Sequence, residues 1–327
     1  MITEEIVQEA LRIRAESPRT TFRQIAEKLL GNPDYAVALR KFIAGQQRGS
    51  EVAIVTKERR RILVDASSMT KHVVTRLPGQ FKMNLPYAAH AEVASAMIIS
   101  DLHCPHVDRA MIEAMVRDSK QAGIDTLIVA GDIIDGQFTG RHKNPPHLTA
   151  SAEAELSHMR YYLKYFEYTF KKVYVCPGNH DGWVTNYYEV SFKDLIQMLL
   201  GDHKLIVSDY EYITVNDNIV VGHLEEWNEV PGYLAWKIAN QFKRHAIVGH
   251  DHIRGVYTEN SSKLHGISLG ACLVPDNIYY KRASFNSFPA FQNGYGVLES
   301  PETLRLMSWD GKKTKHEKTI YLSKTTK

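Results

Sequence analysis

Five short blocks of this sequence carry side chains able to hold a metal ion, and each follows an apolar run short enough to be a buried strand. Met97-Ile98-Ile99-Ser100 leads to Asp101-Leu102-His103, and Leu127-Ile128-Val129-Ala130 leads to Gly131-Asp132 with Asp135 three residues on. Val173-Tyr174-Val175-Cys176 leads to Pro177-Gly178-Asn179-His180-Asp181, Ile219-Val220-Val221 to Gly222-His223, and Ala246-Ile247-Val248 to Gly249-His250-Asp251-His252. Aspartate and histidine are good ligands for first-row divalent metals. One histidine after an apolar run is unremarkable, but five such blocks, most with an adjacent glycine, are hard to attribute to packing. Asp101 and His103 are two residues apart, as are His250 and His252, so in extended chain each pair can reach one ion. Asp101, His103, Asp132, Asn179, His223, His250 and His252 make seven ligands. That is too many for one protein-held ion and suits two ions sharing a bridging carboxylate, with Asp132 as the bridge.

The charge balance of such a centre points to phosphate chemistry. Two dications offset by two aspartates and one hydroxide leave the site net positive, which attracts a phosphate ester. In two-metal sites the ions activate water and stabilise the attacking and leaving oxygens of an in-line displacement. A histidine that binds no metal can then protonate the leaving oxygen.

The elements that must position these residues read as an α/β domain. From Ala94 onward strands and helices alternate. Ala110–Ala122 is an amphipathic helix ending at Gly123, and Ser151–Phe170 is a long helical pattern dense in tyrosine, read as core packing. Loops beyond strand ends are where such proteins keep their chemistry. After His252 the chain reads as strands at 255–258, 264–269, 294–299 and 304–308. An aromatic, partly basic link separates the middle two, with Tyr279-Tyr280-Lys281-Arg282 and residues 285–291. It could stack nucleotides, and packing against the sheet is the favoured reading. The end from Lys312 is basic and reads as frayed.

Residues 1–48 form a separate small helical module. Ile6, Val7, Ala10 and Leu11 follow a helical period with Thr3 as a possible cap. Thr21 caps a second segment carrying Phe22, Ile25, Ala26, Leu29 and Leu30, and Asp34 could cap a third. The segment from Thr20 to Leu29 resembles the first half of a helix-turn-helix unit, in which Tyr35–Ile43 would be the recognition helix and Arg40 and Lys41 would contact DNA. A packing or protein-binding module is the alternative. Residues 49–92 read as a connector with short strands around Lys57-Glu58-Arg59-Arg60-Arg61, and 93–327 as the catalytic domain.

The chain has 327 residues and a net charge of +3. Residues 1–90 hold 15 Lys/Arg against 9 Asp/Glu, and the remainder 25 against 28, so the N-terminal part could approach an anion. No apolar run is long enough for a transmembrane helix, and the start has no signal-peptide core. Cys104, Cys176 and Cys272 have no metal-site spacing and read as reduced thiols, which suits a cytoplasmic protein.

Taken together, Asp-x-His, Gly-Asp-x-x-Asp, Gly-Asn-His-Asp, Gly-His and Gly-His-x-His resemble the calcineurin-like metallophosphoesterases, with all five blocks in family order across residues 101–252. The resemblance implies a four-layer α/β/β/α sandwich of two mixed sheets flanked by helices, with the metal pair at the strand ends. It implies one ion on Asp101, His103, Asp132 and His252, and the other on Asp132, Asn179, His223 and His250. His180 matches the catalytic histidine and Asp135 the carboxylate that orients it. Mn²⁺ is the expected ion, with Fe, Zn, Co and Ni as alternatives.

Several features narrow the substrate. Protein Ser/Thr phosphatases carry Gly-Asp-x-x-Asp-Arg-Gly and Gly-Asn-His-Glu, whereas here Gly136 and Gln137 follow Asp135, and Asp181 stands in the place of the glutamate. Gly-Asn-His-Asp is shared with SbcD-type nucleases, cyclic-nucleotide phosphodiesterases and many small phosphoesterases. Ser100-Asp101-Leu102-His103-Cys104-Pro105 looks like the opening of metallophosphoesterases often encoded by bacteriophages. The leading expectation is a phosphodiesterase or nuclease. The alternatives are a phosphomonoesterase and a DNA-binding regulator with an inactive phosphoesterase domain. Asn179, Arg141 and His142 are candidates to grip the substrate, with exposed loop positions as the plainer reading of the last two.

Overall fold

The computed structural model describes residues 4–16, 20–31, 88–139, 150–259, 263–278 and 291–323. The chain divides into two compact units, Met1–Met83 and Asn84–Lys327.

In the first unit two helices are described, α1 (Glu4–Glu16) and α2 (Phe22–Leu30). Thr21 starts α2 with a reciprocal cap: its hydroxyl accepts from the Gln24 N–H, and its own N–H donates to the Gln24 side chain at 2.9 Å. Gly31 ends it in the left-handed region at φ 67°. Ala10 and Ile13 of α1 pack with Ile25 and Ala26 of α2 as a small core. The recognition-helix segment with Arg40 and Lys41 and the basic cluster at 57–61 lie outside the described residues.

The second unit is built on two mixed sheets. The seven-stranded sheet contains β2 (Ala96–Ile99), β3 (Thr126–Ala130), β4 (Lys172–Cys176) and β5 (Ile206–Val207), all parallel, with β11 (Asn293–Ser300), β12 (Thr303–Trp309) and β13 (Thr314–Tyr321) added antiparallel beside β2. The six-stranded sheet runs β1 (Ala89–Ala91), β6 (Tyr212–Val215), β7 (Ile219–His223), β8 (His245–Gly249), β10 (His265–Leu269) and β9 (Arg254–Thr258), with β7, β8 and β10 parallel. β1 lies inside the stretch read as a connector, yet it pairs with β6.

Strand alternation sorts each strand's side chains between two cores. Ile98, Ile128, Ala130 and Tyr174 face Ile213, Ile219, Val221 and Ile247 between the sheets. Met97, Ile99, Leu127, Val129, Val173 and Val175 face the other way, against α3 (Arg109–Ala122), α4 (Ala152–Thr169) and α6 (Phe192–Leu200). On the far side Val220, Ala246 and Val248 pack under α7 (Tyr233–Phe242). The result is the four-layer sandwich, and both faces of the central strands are covered, which is why they read as unbroken apolar runs.

Two expectations are corrected. The chain from Lys312 is not frayed throughout, because Thr314–Tyr321 forms the edge strand β13. Its charged residues face solvent while Ile320, with Leu322 just beyond, enters the inter-sheet core. The lysines that blunt the edge hid the strand. In α4 only part of the aromatic content is core: Tyr162 and Phe166 are buried, but Tyr161 and Tyr168 are 57% and 93% exposed. Among the described residues no helix is long and apolar enough to cross a membrane, and all three cysteines are free and buried.

Candidate metal centre

The five blocks meet where β2, β3 and β4 of one sheet and β7 and β8 of the other end. The backbone there is unusual. Asp101, His103, Asp132, His250 and His252 all have positive φ, at 54°, 44°, 48°, 97° and 54°. Non-glycine residues pay roughly 1–2 kcal/mol to occupy this region and persist there only when their surroundings hold them. The hold is visible. Asp101 N–H donates to Gly131 O at 3.1 Å, and His103 N–H to Asp132 O at 2.9 Å. The Asp101 and His252 carbonyls accept from Cys272 at 3.0 Å and Gln292 at 2.8 Å.

Glycines let these loops approach one another. A Cβ on Gly178 would lie 2.3 Å from Asp132 Oδ1, and one on Gly249 would lie 2.5 Å from Asp101 Oδ2. The glycine preceding Asn179 and the one preceding His250 are therefore demanded by the carboxylates they touch.

Two groups of ligand atoms gather at the centre, each within 4.8 Å: Asp101, His103 and His252, and Asp132, His223 and His250. Asp132 Oδ2 lies 3.2 Å from His223 Nε2 and 3.6 Å from His103 Nε2, so it stands between the two groups. Asn179 Oδ1 is 2.9 Å from His250 Nδ1. All seven side chains read from the sequence as ligands are therefore brought together. Arg141 and His142 lie outside the described residues, as do 279–290. Phe291 packs edge-on to His252 at 4.4 Å between ring centres.

The donor set fits divalent cations. His103 Nδ1 is bonded to Asp135 Oδ1 at 2.8 Å and His223 Nδ1 to the Leu224 carbonyl at 2.8 Å. With a proton at each Nδ1, each Nε2 presents a lone pair to the centre, the tautomer a ligating imidazole needs. His103 Nε2 and His252 Nε2 face each other at 3.1 Å, a separation that either a shared proton or a shared cation bridges. Protonated, the same imidazoles pair with the carboxylates instead of presenting lone pairs. Burial opposes ionisation of Asp101 and Asp132, yet the imidazoles around them hold both below the usual carboxylate range. Burial likewise opposes charge on His103, but Asp101 and Asp135 lift it to about 10. His250 goes the other way, to about 4, through burial and the neighbouring His223.

His180 joins His103 and Asp132 in a third group of possible ligand atoms. Its main-chain N–H donates to Asp132 Oδ1 at 2.9 Å. Asp135 differs from the sequence expectation. Its carboxylate is 3.9 Å from His180 Nδ1 and is bonded instead to His103. The Asp135 main-chain carbonyl is what accepts from His180 Nδ1, at 2.6 Å. The reason is a short bridge between the two loops, in which Cys104 N–H donates to Ile133 O and Asp135 N–H to Cys104 O. That bridge sets Asp135 beside His103.

Three further residues complete the site, and the sequence analysis gave none of them a role in it. Asp181 accepts from the N–H groups of Ile133, Ile134 and Gly178, tying the β3 loop to the start of α5 (Asn179–Tyr188). Burial and nearby Asp132 push its carboxyl up to about 7. Glu155, buried at the start of α4, accepts from Gly136 N–H at 2.7 Å. Trp183 lies against His180 with ring centres 4.0 Å apart. Buried acids were invisible because nothing local marks them as buried. Trp183 had a signal, three residues after His180 on one helix.

Residues 95–265, just over half of the chain, match the family model for calcineurin-like phosphoesterases, and the chain belongs to that family. Among solved structures, Vps29 of Chaetomium thermophilum is similar at 11% identity over 72% of this chain and 97% of that one, with a TM-score of 0.39. Vps29 of Entamoeba histolytica, complexed with Zn²⁺, is similar at 12% identity over 69% of this chain and 98% of that one, with a TM-score of 0.37. No curated protein matches the chain by sequence.

Proposed function

We propose that this chain is a phosphodiesterase that depends on two divalent metal ions and acts on nucleotides or nucleic acid. The observation that carries the reading is the meeting of Asp101, His103, Asp132, His223 and His252, all buried, with half-buried Asn179 and His250. Asp101, His103, Asp132 and His252 would hold one ion, and Asp132, Asn179, His223 and His250 the other. Bound there, the ions supply positive charge for the phosphate oxygens and acidify water.

The chain's own residues do the rest. The Asp135 carboxylate fixes the tautomer of His103. The Asp135 carbonyl fixes His180 by its Nδ1, so Nε2 is the atom turned toward the centre, 3.9 Å from Asp132 Oδ2. In its doubly protonated form, which burial opposes and the Asp132 and Asp135 carboxylates favour, His180 gives its Nε2 proton to the leaving oxygen as the ester P–O bond breaks and water oxygen joins phosphorus, and is left neutral with its Nδ1 proton. Asn179 contacts the phosphate as well as completing the ligand set. Two features support a diester: the Gly-Asn-His-Asp block and the basic N-terminal part. Mn²⁺ suits a shell rich in histidine better than Mg²⁺ does.

The test is turnover by purified protein with Mn²⁺, and separately with Fe²⁺, Zn²⁺, Co²⁺ and Ni²⁺. The substrates are bis(p-nitrophenyl) phosphate, DNA, RNA and p-nitrophenyl phosphate. Diester cleavage is expected. Cleavage of the monoester alone defeats the reading in favour of a phosphomonoesterase. No turnover with any metal, beside tight DNA binding, favours a regulator. The N-terminal module is proposed to touch DNA through Arg40 and Lys41. Replacing both by Ala should then weaken DNA binding and flatten its salt dependence.

A further inference from the structure

The first helix after the third block carries more than the catalytic histidine. Helix α5 runs Asn179–Tyr188, and His180, Trp183 and Tyr187 fall at i, i+3 and i+7, along one side of it. The indole of Trp183 lies against the imidazole of His180, with ring centres 4.0 Å apart and planes inclined at 36°. Tyr187 follows one turn beyond Trp183. Its ring meets Phe138 edge-on at 6.1 Å and Tyr188 at 5.2 Å. The strip is not core. Trp183 is half-buried, and Tyr187 is 64% exposed. Core duties on α5 fall to Val184, which is fully buried and faces Gly136.

The strip is also held rigidly against the centre. Asp181 ties the start of α5 to Ile133 and Ile134, and the His180 N–H is bonded to Asp132 Oδ1. An aromatic ladder about 10 Å long thus begins at the proton donor and leads away from it. A residue that protonates the leaving oxygen must stand next to the leaving group. Whatever extends past His180 along α5 therefore belongs to the group that departs, not to the one that keeps the phosphate.

We propose that Trp183 and Tyr187 are specificity-determining residues that stack the base of a departing nucleoside. This rests on the phosphodiesterase reading and sharpens it to diesters in which the leaving alcohol is a nucleoside hydroxyl. Flat aromatic side chains accept any base, because every base offers a π-face. Beyond His180 the strip carries no charged side chain, so Trp183 and Tyr187 read shape and stacking, not base identity. Trp183 has a second, positioning effect, since its indole also limits how far the His180 ring can swing.

The experiment separates those two effects. The substrates are the dinucleotide thymidylyl-(3′→5′)-thymidine and two analogues in which one base or the other is replaced by hydrogen. Product analysis with the unsubstituted, Mn²⁺-loaded protein identifies which nucleoside leaves. Trp183→Leu should lower kcat/KM about tenfold on the two substrates whose leaving nucleoside keeps its base, mainly through KM, the order expected for one lost base–aromatic stack. On the analogue without that base, the loss should be at least five times smaller. Trp183→Phe should restore most of the difference, and Tyr187→Ala should give the same pattern, more weakly. The Kd of the non-hydrolysable methylphosphonate dinucleotide, measured by calorimetry, should follow the base in the same way. Equal losses on all three substrates would mean that Trp183 acts only through His180 and would overturn the proposal. A loss that follows the retained base instead would overturn it too. If the unsubstituted protein cleaves no diester, the phosphodiesterase reading fails and takes this inference with it. Turnover without any dependence on the leaving base defeats this inference alone.

Discussion

Ile128 and Asp132 sit four residues apart on β3 and its loop, and opposite rules govern them. Ile128 is fully buried between the two sheets, in regular strand, among residues that could be exchanged for others of similar volume. Asp132 is equally buried but left-handed at φ 48°, charged, and surrounded by imidazoles and main-chain donors. The same contrast holds between Ile98 and Asp101. The inter-sheet core contributes stability. The strand ends spend some of it on backbone strain and buried charge that hold the candidate ligands together.

The widest separation of the two regions should come from Asp132→Asn. Turnover of bis(p-nitrophenyl) phosphate should fall by about a thousandfold, a loss comparable with removing a principal electrostatic group from an active site. Bound metal, read by elemental analysis, should fall with it, while the circular dichroism spectrum stays native. Near-normal turnover would remove Asp132 from the centre. Ile128→Ala should do the reverse, costing about 2–5 kcal/mol in urea unfolding with turnover per folded molecule changed little. A large loss of turnover with unchanged stability would show that the two regions are not separable in this way.

Gly249→Ala tests the border between them. The new methyl would press on Asp101 Oδ2, so metal affinity should drop about tenfold or more while stability falls by only about 1–2 kcal/mol. Unchanged metal affinity would mean the loop has room that the observed approach denies.

Glu155 supplies the pH dependence. Burial, and then repulsion from Asp135, raises its carboxyl from the ordinary 4.5 to about 8. A folded value above the unfolded one means stability is fully present below about pH 4.5 and is lost as pH rises through about 8. In Glu155→Gln the decline of the thermal midpoint between pH 5 and pH 8.5 should therefore be shallower than in the parent. A steeper decline would contradict the assignment. The smallest effect belongs to the outer surface, where Tyr168→Ala should change stability by no more than about 0.5 kcal/mol, because that ring is almost wholly in solvent.

Much of the centre was legible before any fold was known. Ligand type and the i, i+2 spacing at 101/103 are local properties, whereas 250/252, with the same spacing, divide between the two groups of ligand atoms; each apolar run marks a strand buried on both faces. The seven candidate ligands followed from those properties, and the four-layer sandwich from the family resemblance. β13 was not legible, since an edge strand exposes one face and its lysines look like a disordered tail. Glu155 and Asp181 were not legible either, because a carboxylate becomes structural only when folding removes its water and offers it main-chain N–H groups.

The sequence by itself therefore determined which side chains meet, because alternating strands and short glycine-bearing loops leave such residues few places to go. The tertiary structure alone decided what each atom does once there. Asp135 gives its carboxylate to His103 and only its carbonyl to His180 because the β2 and β3 loops run side by side through Cys104 and Ile134. Pairings between loops distant in the chain are set by the packing of whole elements, and no local spacing encodes them.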